Sequence, residues 1–192
     1  MEKESTENIK DRAIKAALEL AATQGWGVTS LADIATAAEI PLSRLHEYFE
    51  DRFDILTAYG RMIDNETLDS AGTVDQSLSP RERLFDLLMA RFDVLNKDRA
   101  GVCAILKSFC FDPKQTVISL PHLGRSMSWM LEAAGISTAG LKGAVKVAGL
   151  TGLYLKTVKI WKDDDSPDMA KTMAALDQYL DRAERWAGNF GL

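Results

Sequence analysis

Two short apolar runs broken by one turn, between Thr29 and Leu56, constrain this chain more than any other stretch. Leu31, Ile34, Ala35 and Ala38 recur at helical spacing and lay one apolar stripe along a short helix. Thr29 and Ser30 stand just ahead as N-cap residues, and Asp33, three positions after Ser30, completes a capping-box pattern. Ile40 interrupts the period. Pro41 suits the first position of a new helix, where its missing N–H would have been orphaned anyway. Leu45, Tyr48 and Phe49 give that second helix its own apolar side. Two short helices about a tight turn, with the small Ala35 at their crossing, form a helix-turn-helix pattern. In such a unit the second helix usually enters the DNA major groove. A helical hairpin that merely packs would show the same pattern, so the flanks decide.

An amphipathic helix carrying Ile14, Ala17, Leu18 and Ala21 precedes the motif and closes at Gln24-Gly25-Trp26-Gly27. Another helix opens immediately after it at Arg52. With Gly25-Trp26, Thr29-Ser30-Leu31, Ile34-Ala35, Ile40, Leu45, Tyr48-Phe49, Arg52 and Ile55-Leu56, this third of the chain resembles the N-terminal domain of TetR/AcrR-type regulators. The resemblance implies an all-α, TetR-like fold: a three-helix helix-turn-helix domain over residues 1–51, then a helical ligand-binding and dimerisation domain over 52–192, with 52–71 as linker helix. It also implies roles on DNA for Thr29, Ser30, Leu42, Ser43, Arg44, His46, Tyr48 and Arg52.

Several positions depart from the family pattern. Glu39 holds the turn position usually given to Gly, and an L side chain tolerates a left-handed backbone poorly. Pro41-Leu42 replaces a common Ser-Lys, and His46 replaces a Tyr often used on phosphate. Residues 29–56 carry two basic side chains, Arg44 and Arg52, against six acidic ones, Asp33, Glu39, Glu47, Glu50, Asp51 and Asp54. DNA affinity rests largely on neutralising phosphates, for which this surface is poorly equipped.

The 192 residues suit one large or two small helical domains, and a net charge of −5 removes non-specific attraction as support for nucleic-acid binding. Met1 to Lys10 is polar and of mixed charge, neither a signal peptide nor a basic arm, so a cytoplasmic location is expected. Cys103 and Cys110 lie two turns apart on one predicted helix, about 10 Å along its axis, too far for a disulfide. They read as small buried hydrophobes.

After the linker helix, which ends at Gly72, a polar loop reaches Ser79-Pro80-Arg81-Glu82, a capped helix start. Helices are predicted from there through Leu95, over 99–111 with a stop at Asp112-Pro113, and over 116–134 with a bend at Pro121. The helix over 138–162 has two apolar faces. Val147, Leu150, Tyr154, Val158 and Trp161 suit the domain's own core, while Ala144, Ala148, Gly152 and Leu155 would let a second helix come close. Lysines at 142, 146, 156 and 159 keep it from being a membrane span. Following Ser166-Pro167-Asp168, the last helix carries Met169, Met173, Leu176, Leu180, Ala183 and Ala187 as a coiled-coil-like seam. Packing within one chain explains either helix alone. Two neighbouring helices with spare apolar faces favour a homodimer, as the resemblance does, with Ala144, Ala148, Gly152, Met173, Leu176 and Leu180 at its interface.

Two histidines, His46 and His122, give little from which to build a catalytic triad or a metal site, and Gly140 to Lys146 lacks phosphate-loop spacing. Asp163-Asp164-Asp165 reads as a solvated turn favouring the next helix start rather than as a metal site. No catalytic residue, cofactor or metal is expected. Phe85, Met89, Phe92, Cys103, Leu106, Phe109, Met127, Met130 and Tyr154 would bring soft side chains together between helices, as a packed core or as an apolar pocket. The resemblance favours a pocket for a small apolar effector or lipid. It implies that effector entry shifts the linker helix and changes the spacing of two reading heads on operator DNA.

The run from Trp161 to Asp177 is similar, through Asp165, Ser166, Pro167, Asp168, Thr172 and Leu176, to the end of ubiquinone-biosynthesis accessory proteins. Those proteins share a TetR-like fold and bind isoprenoid lipids. The alternative expectation is therefore a lipid-binding accessory factor with a vestigial DNA head.

Overall fold

The computed structural model describes residues 6–72, 77–109 and 113–190. The expected cysteine at 110, the stop at Asp112 and most of the loop before Ser77 lie outside them. Helices follow one another along the chain: α1 (Thr6–Gln24), a single 3-10 turn (Trp26–Val28), α2 (Leu31–Ala37), α3 (Leu42–His46), α4 (Arg52–Ala71), α5 (Pro80–Lys97), α6 (Arg99–Phe109), α7 (Pro113–Ala133), α8 (Gly140–Trp161) and α9 (Ala170–Phe190). There is no strand among the described residues, and no helix there is long and apolar enough to cross a membrane.

By packing, the chain forms two compact units, Met1–Met62 with Leu95–His122, and Ile63–Val94 with Leu123–Leu192. This division differs from a boundary after residue 51, because α6 packs along α1. The close approach has a local cause. A Cβ on Gly101 would stand 2.6 Å from the Leu18 carbonyl oxygen, so only glycine lets these two backbones meet. In this first unit Ile9, Ile14, Trp26, Ile34, Leu45 and Ile55 are fully or almost fully buried. Tyr59 Oη donates to Asp98 Oδ2 at 3.1 Å, tying α4 to the start of α6.

In the second unit α8 packs on α9, and Leu88, Phe92, Met127, Met130, Trp161 and Leu176 are buried. The predicted cap at Ser79 is present: Ser79 N donates to Glu82 Oε2 at 2.8 Å, and Glu82 N to Ser79 Oγ at 3.3 Å. Pro113 opens α7 rather than stopping α6, in keeping with the preference of proline for a first helical turn. Proline also lies within α7, at Pro121.

Asp164 corrects the reading of a solvated acidic turn. It is buried, and its carboxylate accepts from Thr172 N at 2.8 Å, Thr172 Oγ1 at 2.7 Å, Ser166 N at 3.2 Å and Ser166 Oγ at 2.5 Å. Burial works to raise its pKa, but these bonds from Ser166 and Thr172 outweigh it and hold the carboxyl well below the usual range. Among the described residues no group of acidic, histidine or cysteine side chains could hold a metal ion.

Candidate nucleic-acid interface

The helix-turn-helix is fixed from its ends. Ser30 Oγ accepts from Asp33 N at 3.1 Å, and Asp33 Oδ2 takes Ser30 N at 2.8 Å, a complete capping box at the start of α2. The Ser30 hydroxyl and backbone N–H thereby lower the Asp33 pKa. Ile34 and Ala35 are buried beneath this helix. After it, Glu39 adopts a left-handed conformation with φ 53°, as the turn requires. Arg12 of α1 holds that turn: Nε donates to Ala38 O at 3.0 Å, and Nη2 to Ala38 O at 2.5 Å and Glu39 O at 2.9 Å. A guanidinium fork thus satisfies carbonyls that a helix end leaves orphaned. Nothing in the spacing around Arg12 reveals this; it is one basic residue among the solvated positions of an amphipathic helix.

Pro41 sits one residue earlier than expected, as N-cap of α3 rather than its first helical residue. Its extended ψ of 137° leaves its carbonyl to accept from Arg44 N at 2.8 Å and Leu45 N at 3.0 Å. Helix α3 is only five residues long. Leu45 and Phe49 anchor it inward, while Leu42, Ser43 and His46 are exposed, with Leu42 at 52%.

Arg44 is engaged by its neighbours. Its Nη1 is ion-paired with Glu47 Oε2, its Nη2 donates to Tyr48 Oη at 3.3 Å, and its guanidinium lies 5.7 Å from the Tyr48 ring centroid. Lys10 Nζ of α1 approaches the same ring at 5.9 Å, a cation the sequence reading did not connect with the motif.

Two residues expected on phosphate are used inside the protein. Thr29 is 1% exposed; its hydroxyl donates to Gly25 O at 3.0 Å and accepts from Gln24 Nε2 at 3.3 Å. Arg52 lies over the Trp26 ring at 5.2 Å, and its Nη1 donates to Trp26 O at 2.8 Å and to Thr29 O. It clamps the start of α4 to the 3-10 turn and the start of α2. The remaining residues of the expected set, Ser30, Leu42, Ser43, Arg44, His46 and Tyr48, stay at least partly accessible.

The acidic surplus also changes meaning. Asp51 Oδ1 accepts from Phe53 N at 2.7 Å and Asp54 N at 3.0 Å, and Asp54 Oδ2 accepts from Glu50 N at 2.8 Å. With Asp33 at α2 and Glu47 on Arg44, four of the six carboxylates serve caps or a pair. Asp33, Asp51 and Asp54 stabilise helix starts through the N-terminal partial charge, whereas Glu47 stands at the C-terminal end of α3.

The expected effector residues fall in both units. Cys103, Leu106 and Phe109 are half-buried in the first. Phe85 and Met89 are half-buried in the second, where Phe92, Met127, Met130 and Tyr154 are buried. There Phe92 stacks on Tyr154 with ring centroids 5.4 Å apart. Tyr154 belongs to a buried polar cluster that periodicity cannot reveal. Arg91 Nε donates to Tyr154 Oη at 3.1 Å, Arg91 Nη1 is ion-paired with Asp64 Oδ1, and Ser126 Oγ donates to Asp64 Oδ2 at 2.7 Å. Burial opposes the Arg91 charge, but Tyr154 and Asp64 keep its pKa above the ordinary value. Burial pushes the Tyr154 hydroxyl up.

Of the expected dimer residues, Ala144, Ala148 and Gly152 are exposed on α8, beside Leu141 at 82% and Leu155 at 41%. Met173 is 41% exposed on α9. Leu176 and Leu180 instead lie in the unit's own core, at 0% and 4%, so the α9 seam faces inward at these positions.

No protein-family model matches the chain, and no curated protein sequence does. Solved structures do. A TetR transcriptional regulator from Nitrosomonas europaea is 25% identical, with a TM-score of 0.72 over 91% of this chain and 97% of that one. A TetR transcriptional regulator from Rhodococcus sp. RHA1 is 18% identical, with a TM-score of 0.61 over 92% and 98%. For a TetR-family regulator from Streptomyces coelicolor the values are 17%, 0.58, 92% and 80%. Nearly whole-length likeness, an all-helical order of elements and a capped helix-turn-helix lead to one conclusion: the chain has the TetR/AcrR-type fold.

Proposed function

We propose that this protein is a ligand-responsive, DNA-binding transcriptional regulator of the repressor kind, acting as a homodimer. The observation that carries the reading is the presentation of α3. A capping box, the Arg12 fork and the Arg52 clamp hold a short helix whose Leu42, Ser43 and His46 side chains are exposed and whose Arg44 and Tyr48 stand at its edge. The structures that share the fold, several described as TetR transcriptional regulators, support it. On DNA, Arg44 would meet a base edge, Leu42 a thymine methyl, and Ser43, His46 and Ser30 would position the backbone.

The homodimer would use the exposed α8 face through Ala144, Ala148 and Gly152, with Met173 of α9. For the effector, the apolar groups of the second unit, Phe85, Met89, Phe92, Met127, Met130 and Tyr154, suit a small apolar molecule or a lipid. Effector binding then shifts the population of dimers whose two heads match operator half-sites.

The experiment is selection from random duplexes, then titration of wild type and Arg44→Ala on the recovered sequence. An Arg44→Ala loss of about 1–3 kcal/mol is the expected result for a base-edge contact. Equal binding by the variant would refute the assignment of Arg44. If no sequence is enriched even at low salt, the lipid-binding accessory reading takes its place. The acidic residues Glu39 and Glu50 near the head favour that alternative. Thr172 and Leu176, in the run that resembles the accessory proteins, have a cap and a core position to fill in any case.

A further inference from the structure

We propose that Glu47 is a positioning residue that sets sequence selectivity by holding Arg44 in place and cancelling its charge towards phosphate; this rests on the DNA-binding reading above. A guanidinium carries five N–H donors in a fixed fork. On Arg44 one goes to Glu47 Oε2 and one to Tyr48 Oη, and the Tyr48 ring lies 5.7 Å from the guanidinium carbon. Three donors remain. They can meet the paired acceptors of a guanine edge while Glu47 keeps its bond, which is the commonest specific contact of arginine in a major groove.

Phosphate is a different partner. Non-specific binding is almost entirely phosphate neutralisation, and an Arg44–Glu47 pair carries no net charge to offer. A phosphate that takes the remaining donors meets a pair without net charge and must approach the Glu47 carboxylate, and one that draws Arg44 away must break the pair. The same acidic residue that weakens the reading surface overall therefore penalises wrong sequences more than right ones, which is selectivity by repulsion of the competitor. The pair is not there for stability. Its side chains are 42% and 51% exposed, and an exposed ion pair of this kind contributes little to folding.

The test uses the full chain, the duplex enriched from a random library, and a scrambled duplex of equal length. Glu47→Gln keeps the shape and removes the charge. Its melting temperature is expected to match wild type, while binding to the scrambled duplex rises and the log-affinity against log-salt slope steepens by about 0.9, one further phosphate. Between 50 and 200 mM salt the variant then loses roughly 3.5-fold more affinity than wild type, and its preference for the enriched over the scrambled duplex falls by roughly threefold or more. Preference for guanine at the position read by Arg44 weakens in parallel.

Coupling separates positioning from general repulsion. In an Arg44→Ala background, Glu47→Gln is expected to leave selectivity unchanged. An equal effect of Glu47→Gln with and without Arg44 would overturn the proposal, as would a wild-type preference retained in the single variant. Failure of wild type to enrich any duplex would remove the DNA reading and this inference with it. Enrichment with no effect of Glu47→Gln would remove this inference alone.

Discussion

Removing one partner of the Asp64–Arg91 pair should be the most damaging single change in the second unit. The two side chains are only 12% and 4% exposed. Asp64 takes Arg91 on one oxygen and Ser126 on the other, and Arg91 also donates to Tyr154. Asp64→Leu leaves a buried guanidinium with Tyr154 alone to answer it, and Arg91→Met leaves a buried carboxylate with Ser126. Breaking a buried pair in this way costs about 3–5 kcal/mol. With a urea m-value of about 2 kcal/mol per molar, a 4 kcal/mol loss lowers the unfolding midpoint by about 2 M. The double variant Asp64→Leu/Arg91→Met removes both desolvation penalties together, and its stability is expected within about 1 kcal/mol of wild type, or above it. Urea unfolding followed by far-UV circular dichroism, at one protein concentration for all four proteins, gives the cycle directly. Two losses that simply add in the double variant would refute the argument. So would single variants that each cost less than about 1 kcal/mol.

Glu39→Gly should stabilise the first unit by about 0.5–1 kcal/mol, the left-handed penalty of an L residue less the extra chain entropy of glycine; thermal unfolding checks it. Gly101→Ala should destabilise by about 1–3 kcal/mol through contact with the Leu18 carbonyl, whereas Gly60→Ala, whose new Cβ meets nothing within 4 Å, should not. Asp164→Ala removes a cap of about 1 kcal/mol at neutral pH. Because the folded-state pKa of Asp164 is depressed, its contribution is present above the unfolded carboxylate value of about 3.9 and is lost as pH falls towards the folded value. Wild type should therefore lose more stability than the variant on acidification from about pH 4 downward. Gly152 is exposed and a Cβ there meets nothing, so Gly152→Leu should keep the helical spectrum while converting dimer to monomer in sedimentation; a wild-type monomer at micromolar concentration would contradict the dimer.

Local chemistry made the head readable. The Ser30–Asp33 and Ser79–Glu82 boxes, the buried Ile34 and Leu45, and the strained turn at Glu39 each follow from residues within four positions of one another. What periodicity could not give depends on partners distant in sequence. Arg52 looked like a phosphate contact because a cation at a helix start near DNA usually is one, yet Trp26 and Thr29 claim it from 26 and 23 residues away. Thr29 is turned inward by near neighbours, Gln24 and Gly25, through side-chain bonds that hydrophobic periodicity does not register. Leu176 and Leu180 fit a seam at coiled-coil spacing, and the same spacing serves the core against α8. The Asp64–Arg91–Tyr154 cluster brings together positions 27 and 63 residues apart, and no pattern within one helix signals it.

On the proposed function, two copies of this chain read one duplex. The most direct test is the mass of the complex formed on the enriched duplex, by native mass spectrometry or sedimentation at 50 mM salt, where phosphate contacts count most. Two chains per duplex are expected, on a two-fold palindrome whose half-sites stand about 34–36 Å apart or a multiple of that distance. A single chain per duplex, or no complex at this salt concentration, would contradict it.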